Sequence, residues 1–546
     1  MFDLPELLDM VFSVLSTQDL ARCALVNKQW CDIATPHLWH TVSYLSGDRL
    51  KAFKRTVLED FLRAQEYQDL RLKLEEAEQR RWPGQGSIKE LATTKHTAEE
   101  FFSYFLKQCV NVRTLALDIV FPNELFYRVF KDIADNLAPN LRELSLKGPC
   151  DGSFFGTSSR WYLYFISRCS SNLEKLTIYS DPIPGYIADV GADLLPIADV
   201  KFPGLKELVL DHCWSKDELP MWDWFWKSCG NVERLELKTC RTDLTYDLAA
   251  RIRTYLPKVN SIVFKDKMVR KAVTPLISAC MGGWKTVRTQ ATLDRMSCKA
   301  LVKHCGTLEV LEVKAILTFS SSTLQCVLSS SPGLKVLITI DDKWRRRRRI
   351  PYLEAKDFID IHPLSNTLNP WASEKALKVL KTKITYIPRP DVSKYLGGGQ
   401  RFDALTETYA GEGRHLQRRV LERLARFTNL EELCLGHDTM ANIYPESLYE
   451  GGTNEDYQYD CLEMTLESGM SQLRNLKNLR VLDVRRMAQR IGIKEVQWMT
   501  RHWSKLQVIR GLHDDGDNLK AAEWLWKHSP MITVEVLSKA FIAWEF

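Results

Sequence analysis

One spacing dominates this chain. An apolar residue, two variable residues, then apolar–variable–apolar recurs along 546 residues. The copies are NVRTLAL at 111, NLRELSL at 140, NLEKLTI at 172, GLKELVL at 204 and NVERLEL at 231. Weaker ones are KVNSIVF at 258, GWKTVRT at 283, TLEVLEV at 307 and GLKVLIT at 333. ALKVLKT at 376, NLEELCL at 429, NLRVLDV at 478 and KLQVIRG at 505 follow. In apolar–variable–apolar the two apolar side chains leave a short strand on the same side. One such strand cannot bury its own apolar face, but stacked copies share a continuous core. The copies at 283 and 505 are poor matches, expected as loops or irregular strands.

From 111 to 333 successive copies start 24 to 32 residues apart. That range overlaps the leucine-rich-repeat period of roughly 20–29 residues, in which each unit is a strand plus a helix. The expected fold class is therefore α/β: a curved leucine-rich-repeat solenoid, with parallel strands on the concave face and helices on the convex face. In LKELVLDHC (205–213) and VERLELKTC (232–240) a Cys follows the strand by three residues, which resembles the cysteine-containing form of this repeat. After 333 the spacing loosens to 43, 53 and 49 residues. The intervening Gly-, Pro- and charge-rich stretches are expected as loop insertions near 341–371, 387–415 and 438–460.

Ahead of the repeats lies FDLPELLDMVFSVLSTQDLARCALVNKQWCDIATPHLWH, residues 2–40. Leu4, Leu7, Leu8, Val11, Phe12 and Leu15 make one helical stripe. Asp3 can cap that helix with Glu6 as capping-box partner, and Pro5 sits in the first turn, where its missing N–H costs nothing. Ser16 and Asp19 restart a helix carrying Leu20, Cys23 and Ala24, and a third short helix is expected over 28–34 before Pro36. Three helices in about 40 residues form only a small core, which needs a partner or an adjoining domain.

The order Leu4-Pro5-x-Leu7-Leu8, Val11-Phe12, Leu15, Asp19-Leu20, Cys23, Leu25-Val26-Asn27-Lys28-x-Trp30 and Pro36-x-Leu38-Trp39 resembles the F-box. That resemblance implies docking to the Skp-type adaptor of a cullin-based ubiquitin ligase. The adaptor-binding residues it implies are Leu4, Pro5, Leu7, Leu8, Val11, Phe12, Leu15, Leu20, Val26, Trp30, Leu38 and Trp39. The stretches TKITYIPRPD, LQRRVLERLARFTNLEELCLG and EVQWMTRHWSKLQVIRGL further resemble the C-terminal repeats of a group of fungal F-box proteins. The expected domains are an F-box at 1–46, a helical spacer and linker at 47–95, and the repeat solenoid at 96–546. In the spacer Phe53, Val57, Phe61 and Leu62 share a helical face before WPGQGS breaks the pattern.

Catalysis has no foothold. The chain lacks G-x-S-x-G, H-E-x-x-H and G-x-x-x-x-G-K-[ST], and no cofactor or small-molecule substrate is expected. His212-Cys213 and His304-Cys305 lack a second pair at zinc spacing and read as core cysteines rather than metal ligands. The 14 Cys are scattered and no export signal or membrane span is visible, so reduced thiols in the cytoplasm and/or nucleus are expected. A net charge of +6 on this length does not argue for nucleic-acid or membrane binding. The run 345–349 of five arginines is read as a solvated loop, with a nuclear signal as the alternative.

For the target, the residue after the last strand apolar is expected to line the concave surface: Lys147, Lys238, Lys265, Lys314, Lys383 and Arg485, against Asp118 and Asp211. Such a basic surface would suit an acidic or phosphorylated segment, while solvated strand-end lysines are the plainer reading. In MWDWFWKSCGN, Trp222 and Trp226 are expected to be buried, leaving Trp224 as the exposed ring and a candidate target contact, with an aromatic binding patch as the alternative. The expected function is target recognition for a Skp–cullin–F-box ligase. The alternatives are a non-catalytic F-box scaffold, or a repeat protein whose N-terminal helices only cap the solenoid.

Overall fold

The computed structural model describes residues 41–42, 112–118, 138–147, 166–169, 171–179, 201–211, 223–240, 245–265, 268–313, 320–340, 352–387, 406–435, 462–485, 491–514 and 516–537. The chain divides into two units, Met1–Val259 and Asn260–Phe546.

In the first unit the strands are β1 (Thr41–Val42), β2 (Thr114–Asp118), β3 (Glu143–Lys147), β4 (Lys175–Tyr179), β5 (Glu207–Asp211) and β6 (Arg234–Thr239). They lie side by side in chain order, each parallel to its neighbours. The register aligns Leu115, Leu144, Leu176, Leu208 and Leu235 in one row across the sheet. Leu146, Ile178, Leu210 and Leu237 form a second row, and every member of both is buried. Helices α1 (Asp223–Ser228) and α2 (Thr245–Tyr255) contribute Phe225, Trp226, Leu248 and Ile252 to the core. Trp226 is fully buried and Trp224 half-buried, while Trp222 lies outside the described residues.

β1 falls inside the segment expected as an F-box and pairs in parallel with β2, Thr41 opposite Thr114 and Val42 opposite Leu115. A parallel pair requires a crossover connection, and the expected spacer at 47–95 lies within this one. The spacer and the other F-box positions lie outside the described residues.

The second unit repeats the scheme with β7 (Ser261–Phe264), β8 (Thr286–Thr289), β9 (Val310–Val313) and β10 (Val336–Ile338). Between them run α3 (Arg270–Ile277), α4 (Arg295–Val302) and α5 (Ser321–Ser330). Asp294 and Ser320 cap α4 and α5, accepting from the backbone N–H groups of Ser297 and Thr323. Of the two outcomes expected for the weak copies at 283 and 505, loop or irregular strand, both form strands, and the one at 505 is irregular in register. At 283 Trp284 fills the first leucine position, fully buried, its indole N–H donating to the Ile277 carbonyl at 2.6 Å.

Next come β11 (Tyr352–Glu354), α6 (Ala355–Ile359), β12 (Val379–Lys381), β13 (Lys383–Thr385), α7 (Thr406–Leu424) and β14 (Glu432–Cys434). β15 (Val481–Asp483), α8 (Ile493–His502), β16 (Val508–His513), α9 (Gly516–His528) and β17 (Thr533–Leu537) complete the unit. The main sheet continues from β10 through β12, β14, β15, β16 and β17, while β11 and β13 form a separate parallel pair. The loop expected at 341–371 thus carries a strand and a helix, because Leu353, Phe358, Ile359, Leu368 and Trp371 supply a core of their own. The loop expected at 387–415 gives way to helix from Thr406, and 438–460 lies outside the described residues.

Two polar devices lock neighbouring strands at their entry. One carbonyl accepts from two successive N–H groups of the next repeat: Lys206 from Glu233 and Arg234, Lys285 from Glu309 and Val310, Glu431 from Arg480 and Val481. An asparagine side chain then reaches back to an earlier carbonyl. Asn172 donates to Pro139, Asn231 to Pro203 and Asn429 to Lys375, at 2.6, 2.9 and 2.7 Å. The Asn of the N-L-x-x-L spacing is a strap between repeats.

At β16 a register shift between Arg510 and Leu512 places Gly511 at φ +95, with its Cα against the Arg485 backbone. A Cβ there would lie 2.2 Å from the Arg485 nitrogen. Gly511→Ala is expected to destabilise the second unit by about 2 kcal/mol or more, read as a lowered denaturant midpoint. Gly306→Ala, where a Cβ meets nothing within 4 Å, is the matched control.

Candidate functional site

On each strand the residues between the core apolar positions face away from the leucine rows. They form the outward face of the sheet. In the first unit one row reads Glu143, Lys175, Glu207, Arg234. Its signs alternate, and the charges pair across strands, Lys175 with Glu207 at 3.2 Å and Arg234 with Glu207 at 3.7 Å, while Arg234 also meets Glu236 of its own strand at 3.5 Å. Adjacent strands stand about 4.8 Å apart, so opposite charges in register meet directly.

The second unit has two outward rows of different character. One holds half-buried valines: Val310, Val336 and Val379 in adjacent register, then Glu432, then Val481 and Val508. The other carries charge that is again paired within the protein. Arg288 meets Glu312 at 3.1 Å, and Arg510 meets Glu535 at 3.0 Å. Lys381 reaches across to Glu432 at 2.7 Å.

The expected row of cationic strand-end residues does not form as a set. Lys383 belongs to β13 and is buried at 8% exposure, so it is no strand end of the main sheet. Arg485 is neutralised by Asp483, whose carboxylate accepts from its Nε at 3.0 Å and Nη2 at 2.6 Å. Lys238 is the extra residue where the β5–β6 register shifts, and its ammonium lies 3.7 Å from the Tyr179 ring centroid, a cation–π contact. Lys265 follows β7, half-buried. Lys147 ends β3 in register with Asp118 and Tyr179. The side chains of Lys147 and Asp118, and all of Lys314 and 345–349, lie outside the described residues. Asp211 accepts from the Thr239 hydroxyl at 3.2 Å. The outward rows are present in the sequence as the variable positions of the spacing, two and four residues before the strand-end position.

Among the described residues no group of three or more His, Cys, Asp or Glu is disposed to hold a metal ion, and no helix is long and apolar enough to cross a membrane. Cys240 and Cys305 are buried, and burial pushes the Cys305 thiol up. His212 and Cys213 lie outside the described residues. The twelve positions assigned to adaptor binding, Leu4 to Trp39, lie there too.

Residues 3–44 match the F-box-like family. An F-box-like domain is thus present at the N-terminal end of the chain, its span reaching β1, and it supports an adaptor role in Skp–cullin–F-box ligases. No curated protein matches the chain.

One buried titratable group in the sheet region has a clear pH consequence. Burial lowers the His304 pKa, and the Lys303 charge adds to that, opposed by the bond from its Nε2–H to the Ile277 carbonyl at 3.0 Å. The protein therefore favours the neutral ring. Its contribution is fully present above the unfolded value of 6.5 and is lost as pH falls through the lower folded value. The thermal midpoint of the second unit is expected to drop below pH 6.5, with a shallower drop in His304→Gln, measured in paired scans from pH 7.5 to 5.

Proposed function

We propose that the chain is the target-recognition subunit of a Skp–cullin–F-box ubiquitin ligase. Its F-box-like segment docks the Skp-type adaptor, and through it cullin, by the apolar side chains from Leu4 to Trp39. The repeats behind it, read as leucine-rich repeats of the fungal F-box type, hold a target protein on the outward sheet face. The chain contributes no bond-making step: it raises the effective concentration of target lysines near a ubiquitin-charged enzyme carried by another subunit. Its place of action is the cytoplasm and/or nucleus.

The observation that carries the reading is the F-box-like match at 3–44, whose span takes in β1, the first strand of a parallel sheet with its own ordered face. The paired charges and valine row of that face favour a largely uncharged target surface over a phosphorylated one, since charges already matched within the protein leave little for a phosphate. A second reading, in which the N-terminal segment only caps the repeats, is favoured by the pairing of β1 with β2.

Binding to a purified Skp-type adaptor separates the two. Leu4→Glu, Leu8→Glu and Phe12→Glu together are expected to weaken it by about 30-fold or more without lowering the thermal midpoint of the second unit. Adaptor binding indifferent to these changes would leave the capping reading.

A further inference from the structure

The chain's net charge of +6 is not spread evenly. Residues 268–308 hold seven Lys and Arg against Asp294 alone, a net +6, so the rest of the chain sums to zero. On the sheet side of this stretch the charge is matched. Arg288 meets Glu312 at 3.1 Å, and Lys335 and then Lys285 hold the Glu309 carboxyl below its usual range. On the helical side it is not matched. Arg270 and Lys271 open α3, and Arg295, Lys299 and Lys303 recur at every fourth residue along α4 and its end. All five are exposed.

These cations stand together because the strands beneath them are in register. Ile262 of β7 pairs with Val287 of β8, and Arg270 and Arg295 each follow eight residues later. α3 sends Val273, Leu276 and Ile277 into the core, and α4 sends Cys298 and Leu301, which turns their other faces to solvent. The hydroxyls of Thr274 and Ser297 join the two helices at 2.7 Å. Their one carboxylate, Asp294, is spent inside the protein. It accepts from the Ser297 N–H at 2.7 Å, the Ser297 hydroxyl at 2.8 Å and the Thr274 hydroxyl at 3.2 Å. Against its burial, these bonds and the Arg270 charge hold its carboxyl below the usual range. The next helix, α5, carries no charged residue. Lys271, Arg295, Lys299 and Lys303 thus have no ion-pair partner among the described residues. On the same two repeats Val269, Met281 and Met296 are exposed, at 45%, 79% and 58%.

We infer that the solvent face of α3 and α4 docks an acidic, amphipathic segment of a partner protein. The inference is independent of the ligase reading, since it calls on no residue of 3–44. Charge complementarity sets the sign of the partner: like charges held side by side without counter-charges are relieved by carboxylates brought to them. Size and composition set its class. Each helix has eight residues, about 12 Å of axis, and paired helices lie about 8–10 Å apart. A nucleic-acid strand would leave so small a patch within about four nucleotides. No aromatic ring is exposed between 268 and 313 to stack a base. A bilayer surface is bound through a broad apolar helix face, whereas α3 and α4 spend theirs on the core. Two turns of an acidic helix match the patch in length. Its carboxylates meet Lys271, Lys299 and Lys303, and its apolar side chains meet the adaptable thioethers of Met281 and Met296.

The test uses the purified full chain and three labelled probes in about 0.15 M salt. They are a synthetic peptide of Glu and Leu at helical spacing, a single-stranded DNA of equal charge, and vesicles containing phosphatidylserine. The peptide is expected to bind more tightly than either of the others. Lys271→Glu, Lys299→Glu and Lys303→Glu together are expected to weaken it at least tenfold. Met296→Gln, with every charge intact, is expected to weaken it at least threefold. Both variants are expected to keep the thermal midpoint within about 2 °C and adaptor binding unchanged, since these side chains touch solvent. A peptide that does not bind the wild-type chain, or that binds either variant as well, would overturn the inference. DNA or vesicles bound more tightly than the peptide would assign the patch to nucleic acid or membrane and overturn it as well. None of these results bears on the adaptor-docking segment, so the proposed function would stand.

Discussion

Stacking of apolar rows in strict register is the interaction on which the rest depends. Leu144, Leu176, Leu208 and Leu235 lie opposite one another in the first unit, as do Leu311, Leu337, Leu380, Leu433 and Leu482 in the second. A strand of three to five residues forms no stable sheet alone. Its neighbours supply both the hydrogen bonds and the other half of its core. Because side chains alternate, a slip of one residue would send every leucine to solvent and every outward charge to the core. The register that builds the core therefore also arrays the outward face.

That coupling explains the character of the face. Rows of variable residues are brought side by side at fixed spacing, so a like-charged row would repel itself. Lys175, Glu207 and Arg234 solve this by alternation, and Arg288–Glu312 and Arg510–Glu535 by pairing. Exposed pairs of this kind add little stability each, but they quench the local field and leave apolar rows such as Val310–Val336–Val379 as the available contact. A partner selected by such a face is chosen by shape and apolar fit more than by charge.

The repeated spacing was legible because leucine pitch is what a parallel stack needs. GWKTVRT is a poor match to the spacing because Trp284 stands in the place of leucine, yet an indole with its N–H satisfied fills the same place. Lys383 was misplaced because ALKVLKT ends the main strand at Lys381, and a second small sheet begins at once. The burial of Arg423 has no mark in the sequence, because its acceptors are carbonyls more than fifty residues away, which no local periodicity records. The asparagine straps were in plain view before each leucine, but their partners sit one repeat earlier. The N-terminal motif is legible because its leucines, Pro5 and tryptophans stand in the order of the F-box, and the F-box-like match spans the same stretch.

The division of labour between docking segment and sheet can be read in one experiment. Amide hydrogen exchange of the full chain, with and without a saturating purified Skp-type adaptor, reports where the adaptor sits. Slowed exchange is expected within residues 3–44, with no change over the outward-facing strands from Thr286 to Glu535. Slowed exchange across those strands with residues 3–44 unaltered would contradict the assignment of the adaptor to the N-terminal segment.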